Sequence, residues 1–438
     1  MKTPVPDYLQ HVLTACQDND QGALADYIPE LAAVDPNKFA LALTTVDGTI
    51  YSTGDDETEF TMQSMSKPFA YALALQHLGI AAVLEKVGVE PSGEAFNQIS
   101  LDKENNLPKN PMINSGAITT HALIPVQKGM SRAEQLRRFL SELAGRQLEF
   151  DKQVYKSEVK TAFRNLSIGY MLRTVGVLDS DPVEIVNGYI KQCAIKVTVK
   201  DLANICGVLA NGGVQAKTGK QLLERDVVRQ VLSVMMSCGM YDAAGDWLTT
   251  VGIPAKSGVS GGIIGVLPGQ VGIVVFSPKI DEHGHSVRGV EIFERLSREM
   301  GLHLMEGTPS AQTILQNRYT LNNDIVVYEL RGVLQFTESE MLLRILQDEP
   351  VAKTRIVLDL TNLTLIHDVG ARMLFEGVGR LQQDGHQVVV IDSESLLSEA
   401  QMKGNKRVVV REELESYLAK YREKIPPNLP LKKGGAVT

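Results

Sequence analysis

The chain has 438 residues, more than one ordinary domain holds, so two or three domains are expected. It is 44% hydrophobic and 22% charged, the composition of a soluble globular protein, and its net charge of −8 argues against nucleic acid as the main partner. The opening "MKTPVPDYLQHVLTACQDND" lacks the apolar core of a signal peptide, and no apolar run approaches the ~20 residues that span a bilayer, so a cytoplasmic protein without a membrane partner is expected.

Residues 7–33 read as helical and end in "YIPELAAVDP". In "FALALTTVDGTIYSTGD", two β-rich runs flank Asp47-Gly48, a hairpin signal. Helical patterning dominates from 61 to 240, broken by loops rich in Gly, Pro and Asn: "EPSGEAFN", "LPKNPMINSGA" and "ANGGVQAKTG". The stretch "GIPAKSGVSGGIIGVLPGQVGIVVFSP" reads as strands punctuated by glycines, and "SVRGVEIFERLSREMGLHL" as a closing helix. A first domain over 1–308 is therefore expected, a small antiparallel sheet built from both ends of the unit around a large helical insertion. Turn residues in "MEGTPSAQTILQNRYTLNND" mark a linker at 309–321. Beyond it, "DIVVYELRG", "TRIVLDLT" and "HQVVVIDS" read as strands. They alternate with the helices "FTESEMLLRILQDEP", which opens on an N-cap threonine, and "GARMLFEGVGRLQQDG", which ends at Gly385. With a last helix in "ELESYLAKYRE", residues 322–425 form a βαβ sheet domain, and 426–438 a disordered tail. The fold class is α/β and multidomain.

The chemistry starts at "QSMSK". Residues i and i+3 share a helix face, so Lys67 can lie beside the Ser64 hydroxyl and, if desolvated and neutral, accept its proton. A helix start also offers free N–H groups to a developing oxyanion. Alone the motif is weak, because S-x-x-K recurs at Ser100/Lys103 and Ser157/Lys160, and an N-cap role explains Ser64 locally. A second element, K-[ST]-G, accompanies S-x-x-K in serine β-lactamases and penicillin-binding proteins. It too occurs twice, at Lys217-Thr218-Gly219 in a polar turn and at Lys256-Ser257-Gly258 opening a glycine-rich strand. An edge strand can supply an oxyanion N–H, so Ser64 pairs with 256–259. The S-x-N or Y-x-N element is absent, which counts against a penicillin-recognising enzyme. Cys16, Cys193, Cys206 and Cys238 form no CxxC and read as reduced structural thiols. His283 and His285 in "DEHGHS" lack further ligands nearby, and "GVSGGIIGVLPG" does not lead from a strand into a helix. No metal and no nucleotide or other cofactor is expected.

Eight stretches in order, "STGD", "QSMSK", "EPSGEAFN", "NPMINSGAI", "VYKSEVKTAFRN", "GYIKQCAIKVT", "MMSCGMYDAAGDW" and "IPAKSGVSGGI", resemble the serine-dependent glutaminases, which have a β-lactamase/transpeptidase-like fold. The resemblance implies that Ser64 is the nucleophile and Lys67 its activator, with Tyr189 and Tyr241 as pocket tyrosines, one of which moves a proton. It implies that Asn114, Glu158 and Asn165 hold the amino-acid end of L-glutamine, with Tyr27 a further pocket residue. The N–H groups of Ser64 and Val259 form the oxyanion hole, supported by Lys256, Ser257 and Gly258. The residue types suit these roles, since a carboxylate pairs with the substrate ammonium, amides read its carboxylate, and a tyrosine relays a proton. A homo-oligomer of two or four copies is also expected. The rivals are another serine amidohydrolase acting on β-lactams or peptides, and a regulatory binding protein with a degenerate first domain.

Residues 322–425 resemble STAS domains, the fold of anti-sigma-factor antagonists, which implies a protein partner and a regulatory or interaction role. Where that family usually has D-S-[ST]-G, this chain has His367-Asp368-Val369-Gly370, so Asp368 stands at the position of a phosphorylatable serine. Its simpler reading is a helix N-cap.

Overall fold

The computed structural model describes residues 3–92, 101–102, 104–126, 128–306, 314–321, 324–347, 355–402 and 404–422. The expected tail 426–438, most of "EPSGEAFN", the Ser100/Lys103 pair and the first part of the expected linker lie outside these residues. The chain divides into two compact units. One is Tyr8–Arg298 with Leu302–Met305, and the other is Met1–Asp7, Glu299–Gly301 and Glu306–Thr438. Among the described residues no helix is long and apolar enough to cross a membrane.

The first unit is organised by a five-stranded antiparallel sheet in the order Ile50–Gly54, Ala40–Thr45, Val271–Phe276, Gly262–Leu267, Ala255–Gly258. Its first two strands form the hairpin expected at Asp47-Gly48, with Gly48 at φ 84. The strands Gly262–Leu267 and Val271–Phe276 are apolar and buried along their whole length because helices cover both faces. Two glycines permit the close approach. A Cβ at Gly265 would sit 2.4 Å from the Phe293 ring of the helix Val287–Met300, and one at Gly272 would sit 2.6 Å from Cys206 Cβ of the helix Val199–Ala210. Gly265 pairs with Ile273, the neighbour of Gly272, so the two helices lie on opposite faces. The helix Val199–Ala210 opens with a capping box between Thr198 and Asp201. Between the two ends of the sheet lies the helical insertion, and the main core runs from the sheet face into it.

The N-terminal helix is shorter than the sequence suggests. It spans Val5–Ala15, and only Pro29–Ala32 is helical again before the sheet. "DNDQG" interrupts it: Gly22 takes φ 80 and Ala23 pairs with Ile280. Lys217-Thr218-Gly219 turns between two short paired strands, and the following helix starts only at Arg225. All four cysteines are free and buried.

The second unit holds a sheet in the order Leu315–Leu321, Ile325–Leu334, Arg355–Ile366, Gln387–Ile391, Val409–Val410. The first pair is antiparallel and the rest are parallel. Residues 315–321, expected in the linker, are thus a strand. Its polar composition hid it, and Tyr319 and Leu321 pack against one core cluster while Leu315 packs against the other. Alternation sorts the faces: Val326, Tyr328 and Leu330 join Leu342 and Leu374 of the helices Phe336–Gln347 and Asp368–Gln383, whereas Ile325 and Val327 join Tyr417 and Leu418 of the helix Leu414–Arg422. Thr337 lies inside its helix rather than at the cap, and its buried hydroxyl has no partner. The cap ahead of the next helix is His367. Asp368 is the first helical residue and accepts from Gln401 Nε2 at 2.7 Å.

Candidate active site

Ser64 lies in a 3-10 turn, Gln63–Ser66, that runs into the helix Lys67–Leu78. Pro68 sits in the first turn of this helix, where its missing N–H costs little. The turn is tied down by Met62, whose N–H donates to Ile195 O at 2.9 Å. Gln63 holds φ 48, a left-handed conformation that a non-glycine residue adopts only where its surroundings enforce it. Ser64 is not a helix cap. That position belongs to Ser66, whose hydroxyl donates to Gln63 O at 2.8 Å.

The Ser64 hydroxyl lies beside the Tyr241 phenol and counters part of the rise that burial imposes on its pKa. It follows the helix Arg225–Cys238 in a 3-10 turn and, like Gln63, is left-handed, at φ 54. The intervening Gly239 lets the helix end touch the edge strand, since a Cβ there would lie 1.8 Å from Ala255 O. That strand carries Lys256, whose Nζ is 3.8 Å from the Tyr241 ring centroid and donates to Ser257 O at 2.8 Å. Lys67 Nζ lies 5.7 Å from the same ring and donates to Asn114 Oδ1 at 2.8 Å. The edge strand in turn packs on the nucleophile turn: a Cβ at Gly258 would be 2.9 Å from Met62 O. Val259 follows directly, half-buried against Ile28 and Val154.

Both lysines are fully buried. Burial pulls the Lys67 amine down to about 7, and burial together with the Lys67 charge holds Lys256 well below its ordinary value. Burial also raises Tyr189 and Tyr241, which keeps both as neutral phenols at neutral pH. The site thus gathers, around the Tyr241 ring, a serine hydroxyl and a lysine amine that titrates near neutrality.

A second cluster faces this one. Asn114 begins the helix Asn114–Leu123, and the loop before it is folded by Asn110, whose Oδ1 accepts from Met112 N at 3.0 Å and Ile113 N at 3.3 Å. Asn114 Oδ1 also accepts from Tyr189 OH at 3.2 Å, and Asn114 Nδ2 donates to Asn165 Oδ1 at 3.1 Å. Glu158 stands on the helix Lys152–Lys160, capped by Asp151. Its Oε1 accepts from Tyr27 OH at 2.9 Å and from Gln63 Nε2 at 3.0 Å. Both donors are neutral, and burial raises the Glu158 carboxyl above its ordinary value. Val154 of this helix packs in the small cluster that Val259 borders.

Sequence reasoning misses two residues. Gln63 lies inside "QSMSK", but the S-x-x-K pattern begins after it, and only the structure turns its amide to Glu158. His285 reads from sequence as part of a polar loop with His283. It is 2% exposed, stacks on Tyr241 at 6.1 Å between ring centroids, and leaves Nε2 without a partner. His283 Nδ1 sits 3.1 Å from Asp242 Oδ2. The competing Ser157 donates to Glu30 at 2.8 Å instead of meeting its lysine.

The family model for glutaminases matches residues 22–305. A glutaminase of Corynebacterium glutamicum is 50% identical over 396 residues, covering 90% of this chain and 95% of that protein. The solved structure of Mglu superposes with a TM-score of 0.69 at 48% identity, over 91% of this chain and 100% of that one. A probable glutaminase, ybaS, reaches 0.67 at 38% identity, over 69% of this chain and 98% of that one. On this agreement of family model, relative and solved structures, the chain belongs to the glutaminase family.

Proposed function

We propose that the protein hydrolyses L-glutamine to L-glutamate and ammonia through a γ-glutamyl ester on Ser64. The observation that carries this reading is the pairing of two clusters. A serine hydroxyl and a lysine held near neutrality share a buried cluster around Tyr241, and a carboxylate that accepts from the neutral donors Tyr27 and Gln63 stands beyond it. A partly buried carboxylate with no cation partner among the described residues suits the substrate's ammonium, and the Asn114–Asn165 amides suit its carboxylate.

In the proposed sequence Ser64 Oγ attacks the side-chain carbonyl carbon while its proton passes to the Lys67 amine. The oxyanion is held by the N–H groups of Ser64 and Val259. As the C–N bond breaks, Tyr241 gives its proton to the departing nitrogen and regains one from the Lys67 ammonium. Water then attacks the ester, and its proton returns by the same groups to Ser64. Lys256 acts beneath Tyr241 as a support for its ring, and Tyr189 fixes Asn114. Ammonia release from glutamine by the full chain tests the reaction. Mass spectrometry after a covalent glutamine analogue tests the nucleophile, and an adduct on any residue but Ser64 refutes the mechanism.

The second unit is proposed as a STAS-like interaction module. Asp368 at the start of its helix is a fixed negative charge in a position favoured by the helix dipole. Transfer of phosphate to this loop by a kinase would contradict the view that the loop is permanently acidic. Free buried thiols fit a reducing cytoplasm. Self-association of two or four copies has support in Phe163 and Tyr170, seven apart on one helix and 75% and 54% exposed. Light scattering of a Phe163→Glu, Tyr170→Glu variant is expected to give a smaller particle than the parent.

A further inference from the structure

The oxyanion hole of the proposed mechanism depends on where one N–H points. A trans peptide is planar, so its C=O and N–H aim to opposite sides. The carbonyl of Gln63 and the N–H of Ser64 belong to one such unit, and no peptide among the described residues is cis. Whatever grips the Gln63 carbonyl therefore sets the direction of the Ser64 N–H. That grip is the Ser66 hydroxyl, 2.8 Å away.

Ser66 is itself held. Its Oγ accepts from Gln192 Nε2 at 3.2 Å, and Gln192 Oε1 lies 2.7 Å from His121 Nδ1. With its N–H used on Ser66, the Gln192 amide can only accept from His121, so the imidazole carries its proton on Nδ1. Ser66, Gln192 and His121 are at most 1% exposed. Burial keeps the His121 ring neutral, its pKa lowered to about 4. Gly188 closes over the ring, where a Cβ would stand 2.4 Å from Nε2. The hydrogen bonds along this path run from His121 to Gln192, from Gln192 to Ser66 and from Ser66 to the Gln63 carbonyl, with the Cys193 thiol 4.0 Å from the Ser66 hydroxyl as its other neighbour. The strained φ of Gln63 makes such a fixture necessary, because that residue gains nothing from its own backbone preference.

We infer that Ser66, Gln192 and His121 form a buried positioning relay that aims the Ser64 N–H into the oxyanion hole. None of the three touches substrate, and the inference rests on the proposed serine mechanism. It separates Ser66 from the nucleophile two residues before it: one does the chemistry, the other orients the peptide that stabilises it.

The test uses the full chain and two variants. Ser66→Ala removes the grip. Gln192→Met keeps the size but takes away both the donor to Ser66 and the acceptor for His121, so nothing turns the Ser66 proton towards the Gln63 carbonyl. Three readouts are taken: kcat and KM for glutamine, inhibition by L-glutamate as a ground-state ligand, and inhibition by a boronate analogue of glutamine, which forms a tetrahedral adduct on a serine. Loss of one oxyanion donor costs about 10²–10³ in kcat, and misdirecting one is expected to cost roughly ten- to a hundredfold. Boronate affinity should fall by a similar factor, while KM and glutamate inhibition stay within about twofold. If Ser66→Ala does not fold, Gln192→Met decides. Unchanged kcat and boronate affinity in a folded variant overturn the relay, and so does equal weakening of glutamate and boronate, which marks general damage. A parent chain that neither turns over glutamine nor binds the boronate overturns the mechanism beneath it as well.

Discussion

Lys67 is the residue on which the proposed mechanism and the pH dependence of stability both turn. As the proposed base it must be neutral, and its amine titrates at about 7. The kcat/KM for glutamine is therefore expected to rise with pH through about 7 and then level off, and a rate that falls across that window would exclude Lys67 as the base. The same shift works on folding. In the unfolded chain the lysine keeps its proton to about 10.4, whereas in the fold it loses it at about 7. The unfolded state thus binds more protons between these values, so stability rises with pH across them and is lowest below 7. Lys67→Met is expected to lose about 10²–10⁴ in kcat yet melt higher at pH 7, with a shallower rise in stability towards pH 10. Calorimetry over pH 6–10 reads this directly. Lys256 shifts in the same direction, so some slope remains in the variant.

Glu158 gives a second residue-scale expectation. Glu158→Gln keeps the shape and the bonds to Tyr27 or Gln63 but removes the charge offered to an ammonium. Charged hydrogen bonds contribute about 1.5–3 kcal/mol, so kcat/KM for glutamine should fall roughly ten- to a hundredfold, mostly through KM. At this scale the sequence is readable for residue types and silent on conformation. Ser64, Lys67 and Glu158 can be placed by motif. The left-handed backbones of Gln63 and Tyr241, and the hydrogen bonds from Ser66 to Gln192 and His121, join residues far apart in sequence and leave no local pattern.

Among elements, the meeting of the helix Arg225–Cys238 with the strand Ala255–Gly258 decides whether the site exists. The helix end delivers Tyr241, the strand delivers Lys256, and Gly239 is the point of contact. A methyl there would fall 1.8 Å from a backbone oxygen that has no side-chain freedom. Gly239→Ala is expected to destabilise the fold by more than about 2 kcal/mol and to lower kcat by separating Tyr241 from Ser64, read by urea unfolding and steady-state rates. Hairpin and βαβ units are legible here because their signals are local: Asp47-Gly48 in one unit, strand–helix alternation in the other. The strand Leu315–Leu321 is not, because "LQNRYTL" is mostly polar and gains its pairing only from the strand Ile325–Leu334. The break after Ala15 is equally hidden, since it depends on Ala23 pairing with Ile280.

For the whole molecule, the family model ends at residue 305, and 69% of this chain suffices to cover 98% of a probable glutaminase. A chain ending after Glu306 is therefore expected to keep kcat for glutamine within a fewfold of the full protein. A truncated chain that folds, by circular dichroism, but releases no ammonia would give the second unit a direct part in turnover.

The sheet of the first unit joins the two ends of that unit, and this bears on synthesis. The hairpin at 40–54 leaves the ribosome early, yet its partner Val271–Phe276 is translated only after the whole helical insertion. Pairing must wait for that late segment, a long-range closure of the kind that folds slowly. Ser64 is made early, while Lys256 and Val259 arrive with the last strands. On the proposed mechanism, a nascent or prematurely terminated chain thus carries Ser64 without its oxyanion partner and is expected to be inactive. Turnover is then expected only once the unit is complete, and the order of translation itself would keep unfinished chains inert.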